Sequence, residues 1–140
     1  MAKNFLKDIR EINTLLLERI KKDNIFKSNL NHTQIQILVY LIRHSNEEVC
    51  QKDLEIETNL KKASITGTLD SLESKGIIER IQSKDDKRKN IIVLSQTTIE
   101  AKDRIASDIR QLDASIKAGI SDEEFNTFVN VIEKIKNNLE

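Results

Sequence analysis

A mostly α-helical fold carrying one small β-hairpin is predicted by three features of the sequence. It contains no Pro and only 3 Gly, so few positions interrupt a helix. Its apolar residues recur at three- and four-residue spacing over most of its length, which is the period of an amphipathic helix. The exception is a pair of short β-branched runs, residues 77–81 and 91–94, on either side of the polar segment SKDDKRKN. Such a pair reads as a hairpin.

At 140 residues the chain suits one domain, 1–140, around one main core. Hydrophobic residues are 38% and charged residues 33%, apolar enough to fold and too regularly patterned for disorder. The 23 basic and 23 acidic residues give a formal net charge of 0. That excludes a protein basic all over, but not a local basic surface. The single cysteine, Cys50, cannot form an internal disulfide, which points to a reducing compartment. The opening MAKNFLKDIREI mixes charge into its apolar positions, unlike a signal peptide. No apolar run approaches the ~20 residues that cross a bilayer. A soluble, cytoplasmic protein without membrane partners is expected.

Along the chain, Phe5, Ile9, Ile12, Leu16 and Ile20 form one helical stripe, widened by Leu6, Leu15 and Leu17. Residues 23–30 read as a connection. Asn31 and Gln34 then have the spacing of a reciprocal N-cap for a helix reaching about His44. Residues 45–48 are a polar turn. A short helix follows over 51–58, with Leu54 inward. Asn59 makes a turn, and a second helix over about 62–75 carries Ile65, Leu69 and Leu72 inward. Gly76 ends it in the left-handed conformation that glycine adopts freely. Two helices across a short turn make a helix-turn-helix, and the hairpin after it, about 77–95, is a wing. Ser95 or Thr97 opens a long helix that Gly119 closes. Ser121 and Glu124 form a capping box for the last helix, with Phe125, Phe128, Val129, Ile132, Ile135 and Leu139.

In a helix-turn-helix the second helix enters the DNA major groove with its N-terminal part toward the base edges. Here that part holds Lys61, Lys62, Ser64, Thr66, Gly67 and Thr68. The lysines suit phosphates, and the short hydroxyl side chains suit phosphates or bases. Gly67 costs helix stability, roughly 1 kcal/mol relative to Ala. Close approach to DNA would account for it, and so would a local defect or tight packing on a neighbouring helix. At the wing tip, Lys87, Arg88 and Lys89 are suited to the negative potential of a narrow minor groove. Asp86 would repel phosphate and reads as a brace for Arg88 or for the turn.

These residues resemble the winged-helix domain of the MarR family of bacterial transcription regulators. The resemblance is carried by QKDLEIETNLKKASITGTLDSLESKGIIER, by Asp86-Lys87-Arg88 as a D-x-R wing signature, and by its distance from the L-x-x-K-G helix end. It implies a homodimer whose terminal helices, here 1–30 and 98–140, intertwine, flanking a DNA-binding lobe over 31–97. It implies a regulator, a repressor on this reading, that reads a pseudo-palindromic operator in double-stranded DNA. Ser64, Thr66, Gly67 and Thr68 would lie in the major groove, with Arg88, supported by Asp86, in the minor groove. Many such proteins bind small ligands between the dimer helices and the DNA-binding lobe, so a small-molecule effector is a further expected partner. The chain departs from the family's L-T-x-x-G after the second wing strand, having Leu94-Ser95-Gln96-Thr97-Thr98.

Other functions find less support. The sequence shows no Ser/His/Asp pattern, Gly-rich phosphate loop or metal-ligand spacing. No enzyme, cofactor or metal is expected, and His32 and His44 stand too far apart to share one helical face. A buried, inert thiol is the expectation for Cys50. Tyr40 and His44, four residues apart, could offer polar groups to a cleft. The alternative is a winged helix that contacts proteins and does not read DNA.

Overall fold

The computed structural model describes residues 4–140. Met1 to Lys3, the start of the expected dimerisation segment, lie outside the described residues. The chain divides into two compact units, one running to Ala106 and one from Ser107 to Glu140.

In the first unit, α1 (Phe5–Lys22) begins at Asn4, whose side chain accepts from the Lys7 N–H at 3.1 Å. The connection after it turns through left-handed residues Asn24 and Lys27. Within it Ile25 is buried, and its carbonyl accepts from Arg104 at 3.0 Å. Asn31 caps α2 (His32–Arg43) in the expected reciprocal box with Gln34, at 2.9 and 2.8 Å. The same Gln34 is buried and donates to the Ser71 hydroxyl at 2.8 Å, tying the start of α2 to the helix over 62–74.

The helix-turn-helix is α3 (Gln51–Thr58) and α4 (Lys62–Ser74), joined at Asn59 in the left-handed conformation. Gly76, at φ +73°, ends α4 as expected. There the Ile77 N–H returns to the Leu72 carbonyl at 3.0 Å, satisfying a helix-end acceptor. β1 (Ile78–Gln82) and β2 (Asn90–Leu94) pair antiparallel, with Ile78 opposite Leu94, Arg80 opposite Ile92 and Gln82 opposite Asn90. The hairpin also gains a contact on its other edge. Cys50 bridges to Ile91, and the Ile92 N–H donates to the Val49 carbonyl at 2.8 Å. Val49 and Cys50, just after the polar turn, are therefore a strand-like partner of β2, a pairing that the sequence reading does not assign.

Ser95, and not Thr97, caps α5 (Gln96–Lys117), accepting from the Thr98 N–H at 3.3 Å. Thr98 in turn donates to the Ile77 carbonyl at 2.8 Å, which anchors the helix start without the family's glycine. The core of the unit gathers Leu30, Ile37, Leu38, Leu41, Val49, Leu54, Ile65, Leu69, Leu72, Ile78, Ile92 and Leu94. It holds the inner face of α4 and the root of the hairpin together.

In the second unit, the end of α5 turns at Gly119 (φ +77°) into α6 (Asp122–Leu139). The Ser121–Glu124 box is formed at 3.0 and 3.1 Å. These bonds to Ser121, from its backbone first and its side chain second, hold the Glu124 carboxyl below its ordinary range. Lys117 lies 4.4 Å from the centre of the Phe125 ring.

Leu69 is completely buried at the centre of the inner face of α4. Leu69→Ala should lower the unfolding free energy in urea by about 2–5 kcal/mol. A loss below about 1 kcal/mol would show that this face is not the structural anchor.

Candidate nucleic-acid interface

The orientation of α4 decides which residues can meet a partner. Ile65, Leu69 and Leu72 are each fully buried, so one side of the helix is committed to the core. Ala63 and Gly67, four residues apart, fall on the opposite side and are exposed. A Cβ built on Gly67 meets nothing within 4 Å. Tight packing inside the chain is therefore not the reason for glycine there. Lys61, Lys62 and Ser64 are exposed, and Thr66 and Thr68 are half-buried at the sides.

The two threonines are not free hydroxyls. Thr66 donates to the Lys62 carbonyl at 2.9 Å, and Thr68 to the Ser64 carbonyl at 2.9 Å. Thr66 also accepts from Gln51 at 2.9 Å, a bond between the two helices of the helix-turn-helix. Both hydroxyl protons are thus used within α4, and Thr68 retains acceptor capacity.

The wing turn is built by its own polar groups. The Ser83 N–H donates to the Lys89 carbonyl at 2.9 Å, and Gln82 donates to the Lys87 carbonyl at 2.7 Å. The Asp86 carboxylate accepts from the Arg88 N–H at 3.0 Å, so it holds the turn through the backbone of Arg88. Lys84, Lys87, Arg88 and Lys89 are all exposed.

A cleft of about 550 Å³ lies between the start of the helix-turn-helix and the wing. Lys62, Asp86, Arg88 and Lys89 all line it, so residues that the sequence places in two distant segments share one site. Lys61, Ser64, Thr66, Gly67, Thr68 and Lys87 do not line it. Gln51 and Lys52 do, and sequence reasoning missed both. Their position at the first turn of α3, after a cap, was the available signal. Four cations against Glu55 and Asp86 give this cleft a positive balance, although the whole chain is neutral. A surface of ammonium, guanidinium and amide donors suits a polyanion.

Cys50 also lines the cleft. It is half-buried, which corrects the expectation of a buried thiol, and its thiol donates to Asp53 at 3.2 Å. Asp53 accepts from the Cys50 N–H as well, at 2.9 Å, which secures the start of α3.

On another side of the first unit, a cavity of about 300 Å³ opens between α1 and α2. Leu16, Leu17, Ile20, Ile35 and Val39 supply apolar walls, and Tyr40, Arg43, His32 and His44 supply polar groups. The Tyr40 and His44 rings stack at 4.1 Å. The two histidines stand at opposite ends of α2 yet both line this space, because the cavity runs along the helix. Burial first, then the Asp53, Glu57 and Glu47 carboxylates, push the Tyr40 hydroxyl above its usual range, so it stays a neutral donor. Among the described residues no group of three or more His, Cys, Asp or Glu is placed to hold a metal ion. None of their helices is long and apolar enough to cross a membrane.

The comparisons with known proteins agree with this architecture. The sequence model of the MarR family matches residues 30–89. The chain is 29% identical over 115 residues to the HTH-type transcriptional regulator YdgJ of Bacillus subtilis, covering 80% of this chain and 67% of that protein. It is 32% identical over 106 residues to the HTH-type transcriptional repressor YetL of Bacillus subtilis, covering 74% of this chain and 62% of that one. The structure of the S. aureus MepR–DNA complex superposes with a TM-score of 0.84 at 19% identity, covering 99% and 100% of the two chains. That last likeness establishes the fold. Residues 30–89 thus match the MarR family model and fold as a winged helix-turn-helix, and the chain is similar to transcription regulators of that kind.

Proposed function

We propose that this protein is a homodimeric repressor that reads a pseudo-palindromic site in duplex DNA. The observation that carries the reading is the shared cleft, which sets Lys62 of α4 beside Arg88 and Lys89 of the wing. One helix and one ribbon then present cations and donors together. In this account α4 lies in the major groove. Ser64, Gly67 and Thr68 approach the base edges, Thr66 holds α4 to Gln51, and Lys61 and Lys62 meet phosphates. Arg88 enters the minor groove, flanked by Lys87 and Lys89, with Asp86 holding the turn. The relative YetL is named a repressor, and MepR is solved on DNA; both support extending these roles to this chain.

The dimer is inferred from apolar surface. On α1, Phe5, Leu6 and Ile12 are 53%, 77% and 62% exposed. On α6, Phe128 and Leu139 are 55% and 82% exposed. A second copy would cover both helices by two-fold symmetry and place two recognition helices ~34 Å apart, one turn of DNA. Leu16 and Ile20 face the chain's own cavity, so the interface stripe is the more exposed one through Phe5, Ile12 and Leu15.

A small-molecule effector is a further partner in this account, and the α1–α2 cavity is its site. The apolar walls suit a hydrophobic body, and Arg43 with the Tyr40 hydroxyl suits an acidic or hydrogen-bonding group.

Binding, sedimentation and effector-release measurements test these roles. Arg88→Ala should weaken binding to a selected duplex at least tenfold at fixed salt, with fold and assembly unchanged; equal affinity removes the minor-groove role. In the same assay Gly67→Ala should stabilise the protein yet weaken binding. Affinity should also fall steeply with salt, whereas a winged helix that docks proteins would show no specific duplex binding. Ile12→Asp should convert a dimer to monomers in sedimentation, because a charge would enter an apolar seam. A stable dimer would place the interface elsewhere. An aromatic carboxylate that releases the protein from DNA should lose most of that effect with Tyr40→Phe, and an undiminished response would put the effector outside this cavity.

A further inference from the structure

The wing is a two-stranded ribbon, and such a ribbon has little stability of its own. Its root is held by Ile78, Ile92 and Leu94 in the core. Beyond Ile78 on β1, the remaining apolar residue, Ile81, is 48% exposed. Between the root and the tip one side chain reaches across to α4. Arg80 donates from Nη2 to Asp70 Oδ1 at 2.5 Å and to Glu73 Oε1 at 2.9 Å, and its backbone N–H donates to Glu73 Oε2 at 3.2 Å. Glu73 therefore grips strand and side chain at once. The Arg80 side chain is only 23% exposed, so it is occupied by the protein and not displayed to a partner.

We propose that Arg80 is a positioning residue that fixes the wing against the recognition helix, so that Arg88 and the N-terminal half of α4 reach adjacent grooves together. The inference rests on the DNA-reading role above. Asp70 and Glu73 sit three residues apart, on neighbouring turns of α4. One guanidinium nitrogen, Nη2, bridges both, and the rigid guanidinium plane fixes where it points, whereas a lysine ammonium is a point charge on a flexible stem. The bonds to Arg80, side chain first and backbone second, hold Glu73 ionised below the ordinary carboxylate range, and the two carboxylates hold Arg80 charged. The clasp is thus intact across neutral pH. A clasp of this kind acts on geometry. Simple neutralisation of two acids on the DNA-facing helix would act on charge, and the two can be told apart.

The test uses the full-length protein on a duplex selected by the wild type, at one salt concentration, with circular dichroism to confirm folding. Arg80→Lys and Arg80→Gln should both bind about tenfold more weakly, a loss of the size seen for coupled side chains. Glu73→Gln, the milder change, should weaken binding in the same direction. On an Arg88→Ala background, Arg80→Gln should cost little more, because a wing without its arginine gains nothing from being aimed. If Arg80→Lys binds as tightly as the wild type, charge neutralisation is sufficient and the positioning role is overturned. Full additivity with Arg88→Ala overturns it too, as does a change in melting temperature with no change in affinity. Absence of any duplex selected by the wild type would overturn the DNA-reading role itself, and this proposal with it.

Discussion

The burial of one face of α4 is the constraint on which the rest depends. Ile65, Leu69 and Leu72 leave the helix no freedom to roll, because any rotation would expose one of them or drive Gly67 inward. The polar ties around it then act as locators. Gln34 reaches Ser71, Gln51 reaches Thr66, and Arg80 reaches Asp70 and Glu73. Each tie comes from a different element, so α2, α3 and the wing are all referred to the same helix. The proposed DNA-reading surface needs this. Its small residues, Ala63 and Gly67, serve only if the backbone behind them is held at a fixed depth and angle.

Charge is arranged by the same logic. Equal numbers of acids and bases would suggest no affinity for a polyanion, but four acids near the interface are engaged. Asp53 holds the start of α3, Asp86 holds the wing turn, and Asp70 and Glu73 hold Arg80. The lysines and Arg88 around the cleft remain turned outward. Local placement, not the total, sets the potential that a partner meets.

Most of the fold was legible because it is written in local patterns. The three-to-four spacing of α4, the Asn31–Gln34 and Ser121–Glu124 boxes and the Gly76 stop each depend on residues close in sequence. What escaped depends on pairs far apart. Nothing in Val49 and Cys50 announces pairing with Ile91 and Ile92, and nothing in Arg80 announces carboxylates one helix earlier. The direction of Leu16 was also illegible, because α1 is apolar on more than one side and only its neighbours decide which side turns inward. For the candidate site, the residue types were readable in the helix and in the wing. Their meeting in one cleft, and the addition of Gln51 and Lys52, required the folded chain.

Two copies of this surface are proposed to read one symmetric stretch of DNA. Selection of duplexes from a random pool by the purified protein tests this most directly. The expected result is enrichment of an inverted repeat whose half-sites lie one helical turn apart, ~34 Å centre to centre. Enrichment of no sequence, or of a single unrepeated half-site, would contradict it.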